Sequence, residues 1–381
     1  MHKLLLPRWL GGAVLTLMLA GCGTPRDAVT LHERNSVPDN LSDWHLVESI
    51  DGELSLNDGV TPYDLNTALF TDYAHKLRTV WMPQGSSAEY GEEDFEYPVG
   101  TIISKTFYYP LAADGTVLRT DDYSQDFSQG YAESGLNLKK VKLIETRLLV
   151  KRSDGWQALP YVWNDAQTEA VLEIAGDAKR LQLTNADGGS EAFTYVVPDS
   201  NQCAGCHADN HTQKAVRPIG PRARHLNKDF TYQSGSENQL LFWQQMGYLS
   251  GMPELAQVPH NVSYSDTTAS LEERARSYLD INCGHCHNPS GAADTSGLML
   301  YSAEQDLRRL GVCKPPVAAG TGSGNRLFAI VPGSPSDSIL NFRVESTSPG
   351  AMMPELGRSL VHEEGTELLQ EWIASMPGNC S

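Results

Sequence analysis

Cysteine and histidine recur in one spacing that has a specific chemistry. Cys283-Gly284-His285-Cys286-His287 reads C-x-x-C-H. Two thiols at this spacing reach neighbouring vinyl groups of a porphyrin, and the histidine after the second cysteine falls beneath the iron. The pattern is the attachment signal for a c-type haem, with Cys283 and Cys286 as anchors and His287 as an axial ligand. A second copy, Cys203-Ala204-Gly205-Cys206-His207, stands upstream. With 7 Cys and 11 His in 381 residues, even one chance copy is rare. The residues predict two covalently attached haem c groups, the first on Cys203 and Cys206 with His207 on iron.

Each iron then takes a sixth ligand or keeps an open position for small molecules. Methionine raises the reduction potential and histidine lowers it. For the second haem the candidate is Met353, directly before Pro354 on a Gly/Pro-containing stretch, with Met352 behind it. For the first, Met252-Pro253-Glu254-Leu255 echoes Met353-Pro354-Glu355-Leu356 and selects Met252, with Met246 and His225 as alternatives. A basic stretch follows His207: Lys214, Arg217, Arg222, Arg224, His225 and Lys228. Haem propionates need cationic partners, and Arg222 and Arg224 are the candidates. The carbonyl of Pro218 or Pro221 is the expected acceptor for Nδ1–H of His207, whereas His287 has no evident counterpart.

The surrounding chain divides by texture. Residues 1–21 carry Lys3 and Arg8 ahead of an apolar run from Trp9 to Ala20, too short to span a bilayer, and read as a signal peptide. Leu19-Ala20-Gly21-Cys22 resembles the bacterial lipobox, which implies cleavage before Cys22 and its lipidation. Gly23 at the next position favours the outer membrane, facing the periplasm. Residues 22–40 form a tether. Residues 41–198 alternate β-branched and aromatic runs with Asp-Gly turns, as in a β-sandwich. Residues 199–265 hold the first haem motif and residues 266–381 the second. In the latter, Ser270 and Glu273 can form a capping box for a helix through Asn282. His362 to Met376 reads as a closing helix, with Ala275 or Tyr278 expected against Leu369 or Trp372. The expected fold is multidomain: an N-terminal all-β, sandwich-like domain followed by two mainly α cytochrome c-type haem domains.

Cysteine usage and charge bound the setting. Lipid takes Cys22 and haem takes four others, so Cys313 and Cys380 remain for one disulfide in an oxidising compartment. The formal charge of −18 becomes −20 once Lys3 and Arg8 leave with the signal. Such a surface repels nucleic acid and steers encounters with redox protein partners. The acidic run Glu89 to Glu96 reads as a solvated loop.

Nearly the whole mature chain resembles a family of bacterial two-haem c-type cytochrome lipoproteins with a β-rich front. The second haem region is also similar to cytochrome c domains fused to sugar-dehydrogenase-like proteins. The resemblance rests on the haem motifs and on several strings. These are Asn66 to Asp72, Pro98 to Thr101, Glu145 to Val150, Tyr161 to Asp165, Ile219 to Asn227 and Met353 to Gly357. It implies electron transfer at the cell envelope, the N-terminal lipid holding the protein at the membrane. Two other functions compete: a dihaem peroxidase-type oxidoreductase, and a haem subunit that docks a periplasmic dehydrogenase through the β-rich region.

Overall fold

The computed structural model describes residues 27–50, 52–120, 136–185, 187–208 and 215–380. The expected signal peptide, Cys22 and Lys214 lie outside the described residues. Strands come first: Val47–Ile50 (β1), Glu53–Leu56 (β2), Thr61–Tyr63 (β3), His75–Trp81 (β4), Ala88–Glu89 (β5), Ile102–Pro110 (β6) and Val117–Leu118 (β7). Leu136–Asn137 (β8), Val141–Arg152 (β9), Gly155–Trp163 (β10), Ala170–Leu172 (β11), Asp177–Thr184 (β12) and Ser190–Val197 (β13) complete the front region.

The longest strands build a six-stranded antiparallel sheet in the order β11-β10-β9-β6-β4-β3. Side chains alternate across such a sheet, so each strand feeds two cores. On β9, Leu143 joins the core shared with Leu54 of β2 and Leu136 of β8. Its neighbour Ile144 joins Leu181 and Leu183 of β12 and Phe193 and Tyr195 of β13. The central sheet is thus covered on one face by β1-β2-β8 and on the other by β7-β12-β13. Three β layers stand where a two-layer sandwich was expected.

The two mainly α haem domains are not formed. Among the described residues, 199–265 contribute three short α-helices, Ser200–His207 (α1), Ala223–Leu226 (α2) and Gln239–Gln245 (α3), and a 3-10 turn, Leu255–Gln257. Between and after them lie the hairpin Asp229–Tyr232 (β14) with Gly235–Asn238 (β15), and Leu249–Ser250 (β16), which pairs with β5 of the front region. Most of the segment's described buried apolar residues join cores shared with the front region. Leu226, Leu240 and Trp243 share one with Val80, Ile103 and Leu149 of the central sheet.

Residues 266–381 hold Leu271–Leu279 (α4), Leu307–Leu310 (α5), Ile339–Glu345 (α6) and Glu363–Ser375 (α7), joined by long Gly/Pro/Ser-rich loops. Turn-forming residues displace helix over most of that length, so loops dominate the segment. Where apolar periodicity persists, helices do form. Ser270 Oγ accepts the Glu273 N–H, and the Glu273 side chain reaches back, making a capping box for α4. Beyond Leu279 the chain continues as a π-helical turn, Asp280–Gly284, which delivers Cys283.

Helices α4 and α7 cross through Ala275, Tyr278, Leu369 and Trp372, each 6% exposed or less. Gly365 makes the close approach possible, because a Cβ there would lie 2.4 Å from the Tyr278 ring. Burying Leu368, Leu369 and Ile373 at this crossing contributes roughly 1.5–3 kcal/mol per side chain.

The string Asn66 to Asp72, which follows β3, ties the sheet to both haem segments. The Asn66 N–H donates to the His225 carbonyl at 3.0 Å. Thr67 Oγ1 donates to the Val262 carbonyl at 2.8 Å, and the Phe70 N–H donates to Asn282 Oδ1 at 2.8 Å. Asp72 Oδ1 accepts the N–H groups of Ser359 and Leu360 at 2.7 and 2.8 Å.

Candidate functional site

Helix α1 carries the whole first motif. Asp199 caps it by accepting the N–H groups of Asn201 and Gln202, and Gln202 completes a capping box. The short linker Pro198-Asp199 therefore turns strand β13 directly into the helix that carries the first C-x-x-C-H motif. The helix lies on the central sheet, where a small cavity of about 30 Å³ is lined by Ile103, Lys105, Arg147, Leu149, Cys203 and His207.

That part of the sheet is charged. Arg78 of β4, Lys105 of β6 and Arg147 of β9 stand opposite one another in register. Like charges placed so are destabilising unless anions offset them. Buried Glu145 takes both Nε and Nη2 of Arg147 at 2.7 and 2.6 Å, and also accepts the Tyr195 hydroxyl at 2.7 Å. Arg78 pairs with Asp64 at 3.1 Å. Lys105 has no such partner among the described residues, and burial together with Arg78 and Arg147 lowers its ammonium to about 7. The row was invisible in the sequence, because strand register alone aligns residues so far apart.

The two motifs meet. A cleft of about 430 Å³ is lined by Cys206 and His207 from the first, by His285 from the second, and by Asn288 to Gly291, which follow the second. Arg222, Arg224, His225 and Asp280 complete its charged wall. Gly205 also lets the Met353–Gly357 stretch approach α1, since a Cβ there would lie 3.1 Å from Leu356 Cδ1.

Both proximal imidazoles are oriented through Nδ1. His207 Nδ1 lies 2.6 Å from the Arg217 carbonyl, not from Pro218 or Pro221. His287 Nδ1 lies 3.2 Å from Ser296 Oγ, a partner the sequence reading missed. Ser296 belongs to a 3-10 turn, Asp294–Ser296, whose fold has no signal in apolar spacing. Burial, with Lys105 next, lowers His207 to about 3; burial, then His285 and Arg343, lowers His287 to about 4. Both rings are neutral at physiological pH, the form that binds iron. Cys203, Cys206, Cys283 and Cys286 are free, and burial raises all four thiols, Cys283 and Cys286 to about 12.

Of the two arginines, Arg222 is engaged by Asp94 at 2.8 Å. Arg224 is 3% exposed and bridges the segments, with Nε on Asp280 at 2.7 Å and Nη1 on Glu93 at 2.9 Å. Its Nη2 is buried without a partner and the residue lines the cleft. The acidic run is therefore no mere solvated loop: Glu93 and Asp94 fold over the basic stretch. Asp280 also accepts from Asn261 and Ser302 at 2.8 and 3.0 Å. Burial raises its carboxyl, but His225 and Arg224 outweigh that and hold it at about 2.

Met353 sits on a pinned loop. Its N–H donates to the Arg343 carbonyl at 2.9 Å, and its carbonyl accepts from Arg358 Nη2 at 3.0 Å. Arg358 also donates to Leu360, Ser346 and Arg343, while its Nε is buried and unpaired. Charges on and beside this loop bear on the second motif, Arg343 of α6 on His287, Glu355 on Cys286 and Arg358 on Cys283. Met252 packs, partly buried, against the core containing Phe95, Trp243 and Leu249, and neither it nor Met353 lines the 430 Å³ cleft. Cys313 and Cys380 form a disulfide, their Cα atoms 5.3 Å apart.

These residues fit two covalent haems. Four free thiols stand in two attachment motifs, two imidazoles are neutral and oriented, and unpartnered cationic nitrogens suit carboxylate-bearing groups. Among the described residues, no cluster of three or more His, Cys, Asp or Glu side chains is arranged to hold a bare metal ion. No helix among them is long and apolar enough to cross a membrane. No protein-family model, curated protein or solved structure matches the chain.

Proposed function

We propose that the protein is a two-haem c-type cytochrome that relays single electrons at the bacterial cell envelope, held to the membrane by lipid on Cys22. The observation that supports this reading is that residues of both C-x-x-C-H motifs border one cleft, Cys206 and His207 from the first and His285 from the second, while His207 and His287 are each held through Nδ1. Bound haem supplies a one-electron couple at each iron.

The chain's own residues do the rest. Cys203 and Cys206, with Cys283 and Cys286, hold the two groups by thioether bonds. His207 is steadied by the Arg217 carbonyl and His287 by Ser296. Arg224 offers its Nη2 to a propionate, and Lys105, the member of the row not paired with a carboxylate, gives the first site a positive field. Haem with two ionised propionates is an anion, so that field favours its retention. Met353, fixed by Arg343 and Arg358, supplies sulfur to the second iron. The acidic exterior steers basic or neutral redox partners.

Visible and near-infrared spectra of the purified protein, followed by peroxide challenge, test the proposal. Two low-spin haems without peroxide turnover support a carrier. A high-spin haem that consumes peroxide would establish the peroxidase alternative instead.

A further inference from the structure

Among the described residues, the cleft lining holds no methionine and two histidines besides His207: His225 and His285. His225 is buried with both ring nitrogens facing polar side chains. Its Nδ1 lies 3.4 Å from Asn261 Nδ2, and its Nε2 lies 3.7 Å from Asp280 Oδ2. Met246 is 41% exposed, and its sulfur accepts from Thr61 Oγ1 at 3.6 Å. Met252 belongs to an apolar core.

His285 is different. Its Nδ1 lies 3.2 Å from the Ile281 carbonyl, one turn back, which fixes the ring and leaves Nε2 for the cleft. An imidazole ligand is ordinarily held this way, by Nδ1–H donated to a carbonyl. His207 is held in the same manner by Arg217.

We infer that His285, the residue between the two cysteines of the second motif, is the sixth ligand of the haem carried by Cys203 and Cys206. The inference rests on the two-haem reading above. It gives the first site two nitrogen ligands and a lower potential than the His287–Met353 site. It would also make the second attachment motif part of the first haem's coordination, with His285 and His287 serving different haems.

The test uses the full-length lipoprotein and its His285→Ala and His285→Met variants. Haem is counted by pyridine haemochrome, ligation is read by electron paramagnetic resonance, and potentials are found by redox titration. In the unsubstituted protein we expect two haems, one with a bis-histidine signal and one with a histidine–methionine signal. His285→Ala keeps both haems but loses the bis-histidine signal and raises the lower potential. His285→Met keeps a low-spin first haem, also at raised potential. An unchanged bis-histidine signal in His285→Ala overturns the assignment, as does loss of that signal in His225→Ala alone. Fewer than two covalent haems in the unsubstituted protein overturns the two-haem reading, and the ligand with it.

Discussion

Asp280→Asn should uncouple the two halves of the cleft in a pH-dependent way. Asp280 is 3% exposed and receives Arg224, Asn261 and Ser302, with His225 close by. Its carboxyl falls from 3.8 to about 2 on folding. That depression contributes about 2 kcal/mol at neutral pH, because each step of one in pKa corresponds to about 1.4 kcal/mol. Stranding a buried partner outright costs about 3–5 kcal/mol. Asparagine keeps the shape and one acceptor oxygen, which places the expected loss near the lower figure. The sign follows from the lowered value: the contribution is complete above pH 3.8 and is lost as pH falls through about 2. Urea unfolding followed by far-ultraviolet circular dichroism, across a pH series, should show a gap of about 2 kcal/mol at pH 7 that closes in acid. No gap at neutral pH, or one that stays constant down to pH 2, would refute the reasoning.

Further substitutions probe separate parts of the account. Gly365→Ala drives a methyl into the Tyr278 ring, 2.4 Å away in the present packing, and should cost about 1–3 kcal/mol in thermal or urea unfolding. Lys105→Met removes a positive charge that favours the reduced state, so redox titration should show a lower potential for the first haem; a rise would contradict the assigned field. Met353→Ala should abolish the methionine–iron charge-transfer band while leaving both haems attached, and an unchanged band would remove Met353 from the iron. Replacing Cys313 and Cys380 with serine opens a 67-residue loop and should lower stability by up to about 4 kcal/mol, visible as a lower melting temperature.

Local chemistry was legible in the sequence wherever it depended on near neighbours. The attachment motifs, the Ser270 capping box and the α4–α7 crossing each rest on spacings within one segment or on strong apolar periodicity. What escaped depends on tertiary register. The row Arg78, Lys105 and Arg147 exists because three strands align, and no spacing in the chain announces it. Ser296 beneath His287 sits in a short turn without periodic signal. His285 was hidden inside a motif whose middle residues are ordinarily free to vary. The expectation of two mainly α domains failed for a related reason. A c-type haem motif needs only one short helix to present it, and here a β-sheet supplies the rest of the support for the first site.

Intact-mass spectrometry on protein exported with its haem-attachment machinery tests the central claim most directly. The account predicts a gain of two haem masses per chain, one lost in Cys203→Ser/Cys206→Ser and the other in Cys283→Ser/Cys286→Ser. A polypeptide carrying no covalent haem, or the same gain after either pair is removed, would contradict it.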